Sequence, residues 1–394
     1  MGESAAVVTL KRGEEKRIGS GHLWVFSNEI ASTEGAVTPG DTVHVHEASG
    51  RFLGTGYINP HSLIAVRLVS RSNVEISKEF LAKRVRDALA LRERIWPGER
   101  VCRAVYGDAD FLPGLIVDRY GDTLAVQSLT AGIERRLDDV IEVLVEQMEP
   151  ANVVLRNDSS MRKYEELPLT KSVVRGEVQG PVEVEQDGHR FLVDVLNGQK
   201  TGFFLDQREN RLATAGLAAG GDVLDCCCYT GAWSVYALAA GARSVTCLDS
   251  SGPALELAEK NVALNAVDAE ARFVKGDIFK ELAGLGRGRR KYGLVVVDPP
   301  AFAKSRKKIR EALKAYRAVN RLAMSLTKPG GHLVTCTCSH LVERDAFLHS
   351  LVGAARESGR RARIVEVRGQ SRDHPVTLGL PETDYLKCVV LEII

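Results

Sequence analysis

Four aspartates end runs of apolar residues and are the first candidates for chemistry. Asp225 closes D-V-L-D, Asp249 closes V-T-C-L-D, Asp277 closes F-V-K-G-D and Asp298 closes L-V-V-V-D. β-branched and aliphatic runs of this kind read as strands buried on both faces. Asp298 is followed by Pro299 and Pro300. Proline has no N–H and a fixed φ, so a ladder cannot continue past it. Asp298 is therefore held in a stiff turn at the carboxyl end of a buried strand, which is where open α/β sheets bind ligands.

The turn after Asp225 narrows the ligand. Tyr229, Thr230 and Gly231 lead into a helix-like stretch with one glycine, where a dinucleotide fingerprint needs three. A nicotinamide pyrophosphate requires close backbone approach over several residues, which argues against a dehydrogenase. S-adenosylmethionine, which has no pyrophosphate, suits one glycine. Asp249 lies at the distance downstream where an acid bonds ribose hydroxyls. Asp277 is placed to accept from an adenine amino group. Each acid has a plainer alternative as a helix N-cap, but a series of them argues for a site. Upstream, N-G-Q-K-T-G-F-F-L-D-Q-R (197–208) reads as a loop either plugged into the core or lying over a cofactor. In the second case Asp206 would meet the ligand's ammonium. The expected cofactor set is Thr201, Phe203, Asp206 and Arg208 from that stretch and Asp225, Cys227, Tyr229, Thr230 and Gly231 from the first turn. Asp249 with Ser250, Asp277 with Ile278, and Asp298 complete it.

The eight cysteines form no C-x-x-C pair, so neither a zinc site nor a disulfide framework is expected. A net charge of +2 does not announce a nucleic-acid binder; such a role must come from local patches. Two basic runs flank the Asp298 strand. Only the second lies on the ligand side, which makes Lys304, Arg306, Lys307, Lys308 and Arg310 candidates for phosphate contacts. G-R-G-R-R-K (286–291) reads as a surface loop. Lys11, Arg12, Lys16 and Arg17 form another basic cluster before Gly19. It is either a phosphate-contacting edge or a solvated turn. No apolar run approaches the roughly 20 residues of a membrane span, and no signal peptide is evident. A cytoplasmic protein with no membrane partner and no metal is expected.

These residues require a scaffold. Residues 1–72 read as short strands cut by turns, a small β-barrel. Residues 73–187 read as an α+β unit, with Ser77 capping a helix, another helix at about 133–148, and Asp118–Arg119 as a surface pair. From 188 to 394 strands and helices alternate, with helical stretches near 231–240, 252–265, 308–327 and 342–358. That rhythm predicts an α/β doubly wound parallel sheet. Its last two strands, A-R-I-V-E-V and Y-L-K-C-V-V-L-E-I-I, should form an antiparallel pair at the edge. Five parallel strands with such a pair is the Rossmann-like arrangement of class I methyltransferases.

Asp225-x-x-x-Tyr229-Thr230-Gly231, K-T-G-F-F-L-D-Q-R, D-P-P-A-F and T-C-T-C-S (335–339) together resemble the bacterial 23S rRNA 5-methylcytosine methyltransferases. The resemblance covers nearly the whole chain. It implies an amino-terminal PUA-like domain, a central α+β domain, a class I methyltransferase domain and RNA, 23S rRNA, as partner. It also implies a cysteine thiolate that adds to cytosine C6 so that C5 can attack the sulfonium methyl. In this sequence that cysteine is Cys338, in T-C-S. Cys336 shares its strand parity but lies deeper. Asp298 would hold the base edge, with Pro299, Pro300 and Phe302 on the substrate side. Ala301 departs from many RNA 5-methylcytosine enzymes, which carry a second cysteine there, so another group must remove the C5 proton. A rival reading is an RNA guanine or adenine N-methyltransferase using D-P-P-A-F, with Cys338 a buried strand residue. A third, of another class, is a non-catalytic RNA-binding ribosome assembly factor.

Overall fold

The computed structural model describes residues 5–265, 270–303 and 305–394. The chain packs as two compact units. The first comprises Met1–Val182, Val193–Leu205 and Arg372–Thr383; the second comprises Glu183–Leu192, Asp206–Ser371 and Asp384–Ile394.

The first unit holds two sheets. One has six strands in the order Trp24–Phe26, Ile64–Ser70, Phe52–Ile58, Thr42–His46, Ala6–Leu10 and Ile30–Glu34. Val43 and Val45 point inward while His44 and His46 stay half-exposed, as a period of two requires. Gly56 sits at a bulge where an added Cβ would come within 2.3 Å of the Arg67 carbonyl, so no side chain fits. The other sheet has five strands in the order Thr170–Arg175, Asn152–Asn157, Thr123–Ser128, Leu115–Tyr120 and Val101–Tyr106. Helices Lys78–Ile95 and Leu137–Met148 cover it through Leu81, Val85, Val140 and Leu144, packed with Val117 and Val126. Ser77 caps the first helix, its Oγ accepting from the Phe80 N–H at 3.4 Å.

Asp118 is not half of a surface pair with Arg119. It is fully buried and accepts two bonds from Arg103, each 2.8 Å. The Thr201 hydroxyl donates to it at 2.5 Å. Adjacent residues on a strand face opposite ways, so Asp118 and Arg119 cannot share a partner. The bidentate fork satisfies the carboxylate in a place where an unpaired charge could not survive.

The second unit holds a seven-stranded sheet and, from Glu183 to Leu192, most of a two-stranded hairpin sheet. The strands of the larger sheet are β1 (Asp222–Cys226), β2 (Ser244–Asp249), β3 (Glu270–Lys275), β4 (Tyr292–Val297), β5 (Thr327–Thr337), β6 (Ala362–Arg368) and β7 (Lys387–Ile393). The spatial order is β3-β2-β1-β4-β5-β7-β6. The first five are parallel, and β7 runs antiparallel to both β5 and β6. The helices are α1 (Arg208–Ala215), α2 (Ala232–Ala239), α3 (Gly252–Leu264), α4 (Ile278–Gly286), α5 (Ile309–Leu326) and α6 (Arg344–Ser358). One face of the sheet buries Leu224, Val295, Val297, Leu333 and Val389 against Tyr316 and Val319 of α5 and Phe347 and Leu351 of α6. Neither α1 nor α4 was among the expected helical stretches. α4 has only nine residues, two of them glycine, which weakens any helical signal.

Candidate active site

Strand order reverses between β1 and β4, and such a switch point opens a crevice at the carboxyl ends of the strands. Four acids lie there. Asp249, ending β2, accepts from the backbone N–H of Tyr229 at 2.9 Å and of Ser251 at 2.9 Å. It thereby ties the turn after β1 to the turn after β2. Asp277 caps α4, accepting from Phe279 N and Lys280 N at 3.1 Å each, and remains exposed. Asp225 is fully buried. Its Oδ2 accepts from the Ser234 hydroxyl at 2.8 Å, while its Oδ1 has no partner among the described residues. Burial pushes its carboxyl up to about 7, against the pull of Ser234; the nearby Asp298 and Asp249 charges add to the rise.

The turn between β1 and α2 is strained. Cys227, Tyr229 and Gly231 all have left-handed φ, at 60°, 50° and 77°. Such a conformation is costly for a non-glycine residue and clusters at functional sites. At Gly231 an added Cβ would approach the Ala258 side chain to 3.0 Å, so the glycine also permits close packing on α3. Asn261 fixes the turn from α3 by donating to the Thr230 carbonyl at 2.9 Å. Ser250 is exposed beside Asp249, and Ile278 packs on the core under α4.

Asp298 is held by two donors on one oxygen: Gln207 Nε2 at 2.9 Å and Trp233 Nε1 at 3.2 Å. Gln207 is itself oriented, because Asn210 Nδ2 donates to its Oε1 at 2.7 Å. Arg368 Nε in turn donates to Asn210 Oδ1 at 2.9 Å. A polar relay thus runs from β6 to Asp298. Asp206 accepts from the Tyr385 hydroxyl at 2.5 Å.

On β5 the two cysteines separate by burial. Cys336 is fully buried and faces Cys388 across the ladder, and burial raises its thiol well above the ordinary range. Cys338, one residue past the strand, is partly exposed. The residues on either side of it are fixed. The Thr337 hydroxyl donates to Tyr316 OH at 2.7 Å, Tyr316 OH and Ser339 Oγ lie 3.1 Å apart, and Ser339 N donates back to Thr337 Oγ1 at 3.2 Å. Val297 pairs with Thr335, so Asp298 leaves β4 level with Cys336. Cys338 lies two residues, about 6.6 Å, further along the strand direction.

The other expected residues have varied surroundings. Arg208 is buried and forks onto Asp187, with bonds of 2.5 and 3.0 Å. Asp187 also accepts from Tyr236 OH at 2.5 Å. Thr201 and Phe203 belong to the first unit. There Phe203 is buried and the Thr201 hydroxyl lies between Asp118 and Tyr120. Phe302 packs between Phe279 and Tyr316, with ring centroids 6.3 and 4.7 Å away. Arg306, Lys307, Lys308 and Arg310 are exposed in the turn and first residues leading into α5, with Lys308 bonded to Glu311 at 2.8 Å; Lys304 lies outside the described residues. Arg12 and Lys16 are exposed, and Lys11 donates to the Asn28 carbonyl at 2.7 Å. Arg17 is committed to Glu29 at 2.7 Å and to the Phe26 ring at 4.5 Å. Gln207, Trp233 and Tyr385 were not anticipated. An indole two residues after Gly231 was the one available signal.

A PUA-like domain model matches residues 8–71, and an S-adenosylmethionine-dependent methyltransferase model matches residues 164–375. Proteins named ribosomal RNA large subunit methyltransferase I are similar along their whole length. The one from Pseudoalteromonas atlantica is 36% identical over 391 residues, 98% of this chain and 99% of that protein. The one from Aeromonas hydrophila is 38% identical over 397 residues, again 98% and 99%. The chain belongs to the ribosomal RNA large subunit methyltransferase I family. Its fold is also that of a SAM-dependent methyltransferase structure from Streptococcus mutans, with a TM-score of 0.84 at 20% identity over 98% of this chain and 99% of that one.

The cofactor of this enzyme family is S-adenosylmethionine. The donor set fits it. Apart from its carboxylate, that molecule offers an ammonium, a sulfonium, ribose hydroxyls and an adenine amine, all of them cationic or hydrogen-bond donors. The crevice offers carboxylates at the ends of successive strands. Among the described residues no group of three or more His, Cys, Asp or Glu could hold a metal ion, and no helix is long and apolar enough to cross a membrane.

Proposed function

We propose that this chain forms 5-methylcytosine in 23S rRNA through a covalent adduct between Cys338 and cytosine C6. The observation that carries the reading is the partly exposed Cys338 at the carboxyl end of β5, one strand from Asp298, while Cys336 is sealed in the core. S-adenosylmethionine supplies the methyl group. Asp206, Asp249 and Asp277 would hold it, with the buried Asp225 behind them and the Cys227–Gly231 turn, Ser250 and Ile278 alongside. The Cys338 sulfur adds to C6 and makes C5 nucleophilic. Asp298, held in place by Gln207 and Trp233, hydrogen-bonds the N3 edge as charge develops on the ring during sulfur addition. The Pro299 and Pro300 carbonyls orient the exocyclic amine. After transfer the C5 proton leaves and the sulfur is eliminated. Arg306, Lys307, Lys308 and Arg310 position RNA phosphates, with Arg12 and Lys16 of the amino-terminal domain as a second contact.

The N-methylating alternative needs an aromatic face for the base. Phe302 already packs against Phe279 and Tyr316, which favours the cysteine route. RNA carrying 5-fluorocytosine at the target blocks loss of the C5 substituent and should trap the adduct. An adduct that disappears in Cys338→Ala supports the proposal. Turnover on native RNA that is unaffected by Cys338→Ala removes it.

A further inference from the structure

Phe111 stands in a conformation that its residue type disfavours. It follows the 3-10 turn Gly107–Asp110 with φ 57° and ψ 32°, the left-handed position that glycine usually fills. The backbone fixes it there. Phe111 N–H donates to the Asp108 carbonyl at 3.2 Å and Leu112 N–H to the Gly107 carbonyl at 3.0 Å. A bulky residue in this region is strained, and such strain clusters at ligand clamps and active sites. Full burial does not offset the strain, because the side chain is 39% exposed. Among the described residues the other aromatic with left-handed φ is Tyr229, in the turn after β1.

Phe111 lines a groove of about 610 Å³ that lies wholly within the first unit, inside the roughly 300–1,000 Å³ of ligand sites. Its apolar walls are Leu23 and Leu68 of the amino-terminal sheet domain, Leu91 of the helix Lys78–Ile95, and Val376 and Leu378. Leu378 is 93% exposed although its backbone is pinned. At the next residue, Gly379, an added Cβ would come within 2.5 Å of the Ser20 carbonyl oxygen, and Thr377 N–H donates to Thr383 Oγ1 at 2.9 Å. Two arginines give the groove its sign. The Arg84 guanidinium lies over the Phe111 ring at 5.3 Å and over the Phe80 ring at 5.1 Å, while its Nη2 donates to the Val69 carbonyl at 2.9 Å. Arg71 is exposed, and its Nη2 donates to the carbonyls of Ile18 and His22. A guanidinium has five N–H donors, and these bonds use those on Nη2. No acidic side chain is among the lining residues.

We propose that this groove takes an unstacked nucleotide of the RNA substrate, other than the one methylated, with its base on Phe111 and its phosphate on Arg71 and Arg84. This rests on RNA being the substrate and not on the cysteine route. Unpaired bases stack on aromatic rings and on guanidinium planes, and Phe111 with Arg84 combines the two. Apolar walls accept any base, so the groove selects a single strand rather than a sequence. An apolar protein segment would use the leucines but gain nothing from two arginines without an acid beside them.

The test uses the full-length protein and large-subunit ribosomal RNA transcribed in vitro, with binding followed by filter retention at fixed salt. Phe111→Asn removes the ring and suits the left-handed backbone. It should leave the melting temperature unchanged or raised and weaken RNA binding about tenfold, the scale of one lost base stack. A ring that serves only in packing would give the reverse, a lower melting temperature with RNA affinity intact, and that result overturns the proposal. Leu378→Asp places a carboxylate in the groove from an exposed position and should also weaken binding about tenfold. RNA affinity unchanged in both folded variants overturns the proposal and points to a protein segment instead. The cysteine route fails separately: no 5-fluorocytosine adduct in the wild type, with Phe111→Asn still weakening RNA binding, removes that route and leaves the groove standing. A wild-type protein that binds no ribosomal RNA removes both.

Discussion

Replacing Asp225 with asparagine should change how stability depends on pH, and the sign follows from burial. Desolvation lifts the folded-state carboxyl from the ordinary 3.8 to about 7. The unfolded chain therefore loses this proton at a lower pH than the folded one, so stability falls as pH rises from about 4 to about 7 and is level above that. The whole interval is worth about 4 kcal/mol. Less than half of that is already lost at pH 5, leaving a fall of about 2–3 kcal/mol between pH 5 and pH 8. An amide at this position does not titrate, and its carbonyl can still accept from Ser234. Any other cost of Asp225→Asn is constant with pH. Urea unfolding of both proteins at pH 5, 6, 7 and 8, followed by far-UV circular dichroism and tryptophan emission, measures the difference. The variant should gain on the wild type by about 2–3 kcal/mol from pH 5 to pH 8. A difference that stays constant across this range would refute the claim that Asp225 is protonated in the folded crevice.

Other expectations concern different parts of the molecule. Asp118→Ala leaves the buried Arg103 guanidinium without its carboxylate and should cost about 3–5 kcal/mol; thermal melts of Asp118→Ala and of Arg103→Met with Asp118→Leu would show most of the loss recovered in the double variant. Gln207→Leu removes a donor on Asp298. It should lower kcat about tenfold, equivalent to roughly 1.4 kcal/mol for a bond to a charged group, while S-adenosylhomocysteine affinity by calorimetry stays the same. Replacing Arg306, Lys307, Lys308 and Arg310 with alanine should flatten the salt dependence of RNA binding, by roughly 0.7–0.9 in log–log slope for each phosphate no longer neutralised. An unchanged slope would place the phosphate-binding cations elsewhere.

The parallel sheet was legible because its strands carry their own signal. β1, β2, β4 and β5 are largely apolar, and β1, β2 and β4 each have an acid at, or one residue from, their last residue. The edge pair β6–β7 followed from a connection too poor in helix formers to carry a parallel crossover. What escaped was local in a different sense. α4 is short and glycine-bearing, and Gln207, Trp233 and Tyr385 gain their roles only from what lies opposite them. Arg208 and Arg17 looked like ligands because free charges near motifs do, but each is forked onto a carboxylate far along the chain, Asp187 and Glu29.

The sequence alone determined the order of the strands, the acids at their ends and the cysteine in T-C-S, since periodicity and proline act over a few residues. The tertiary structure decided which of those groups are available. Burial takes Cys336 out of reach and leaves Cys338 accessible, and it raises Asp225 while Asp298 collects two donors. The pairing of β5 with β7 sets Cys388 opposite Cys336, 52 positions earlier in the chain. Desolvation and cross-strand proximity depend on the whole packed molecule, and no window of sequence contains them.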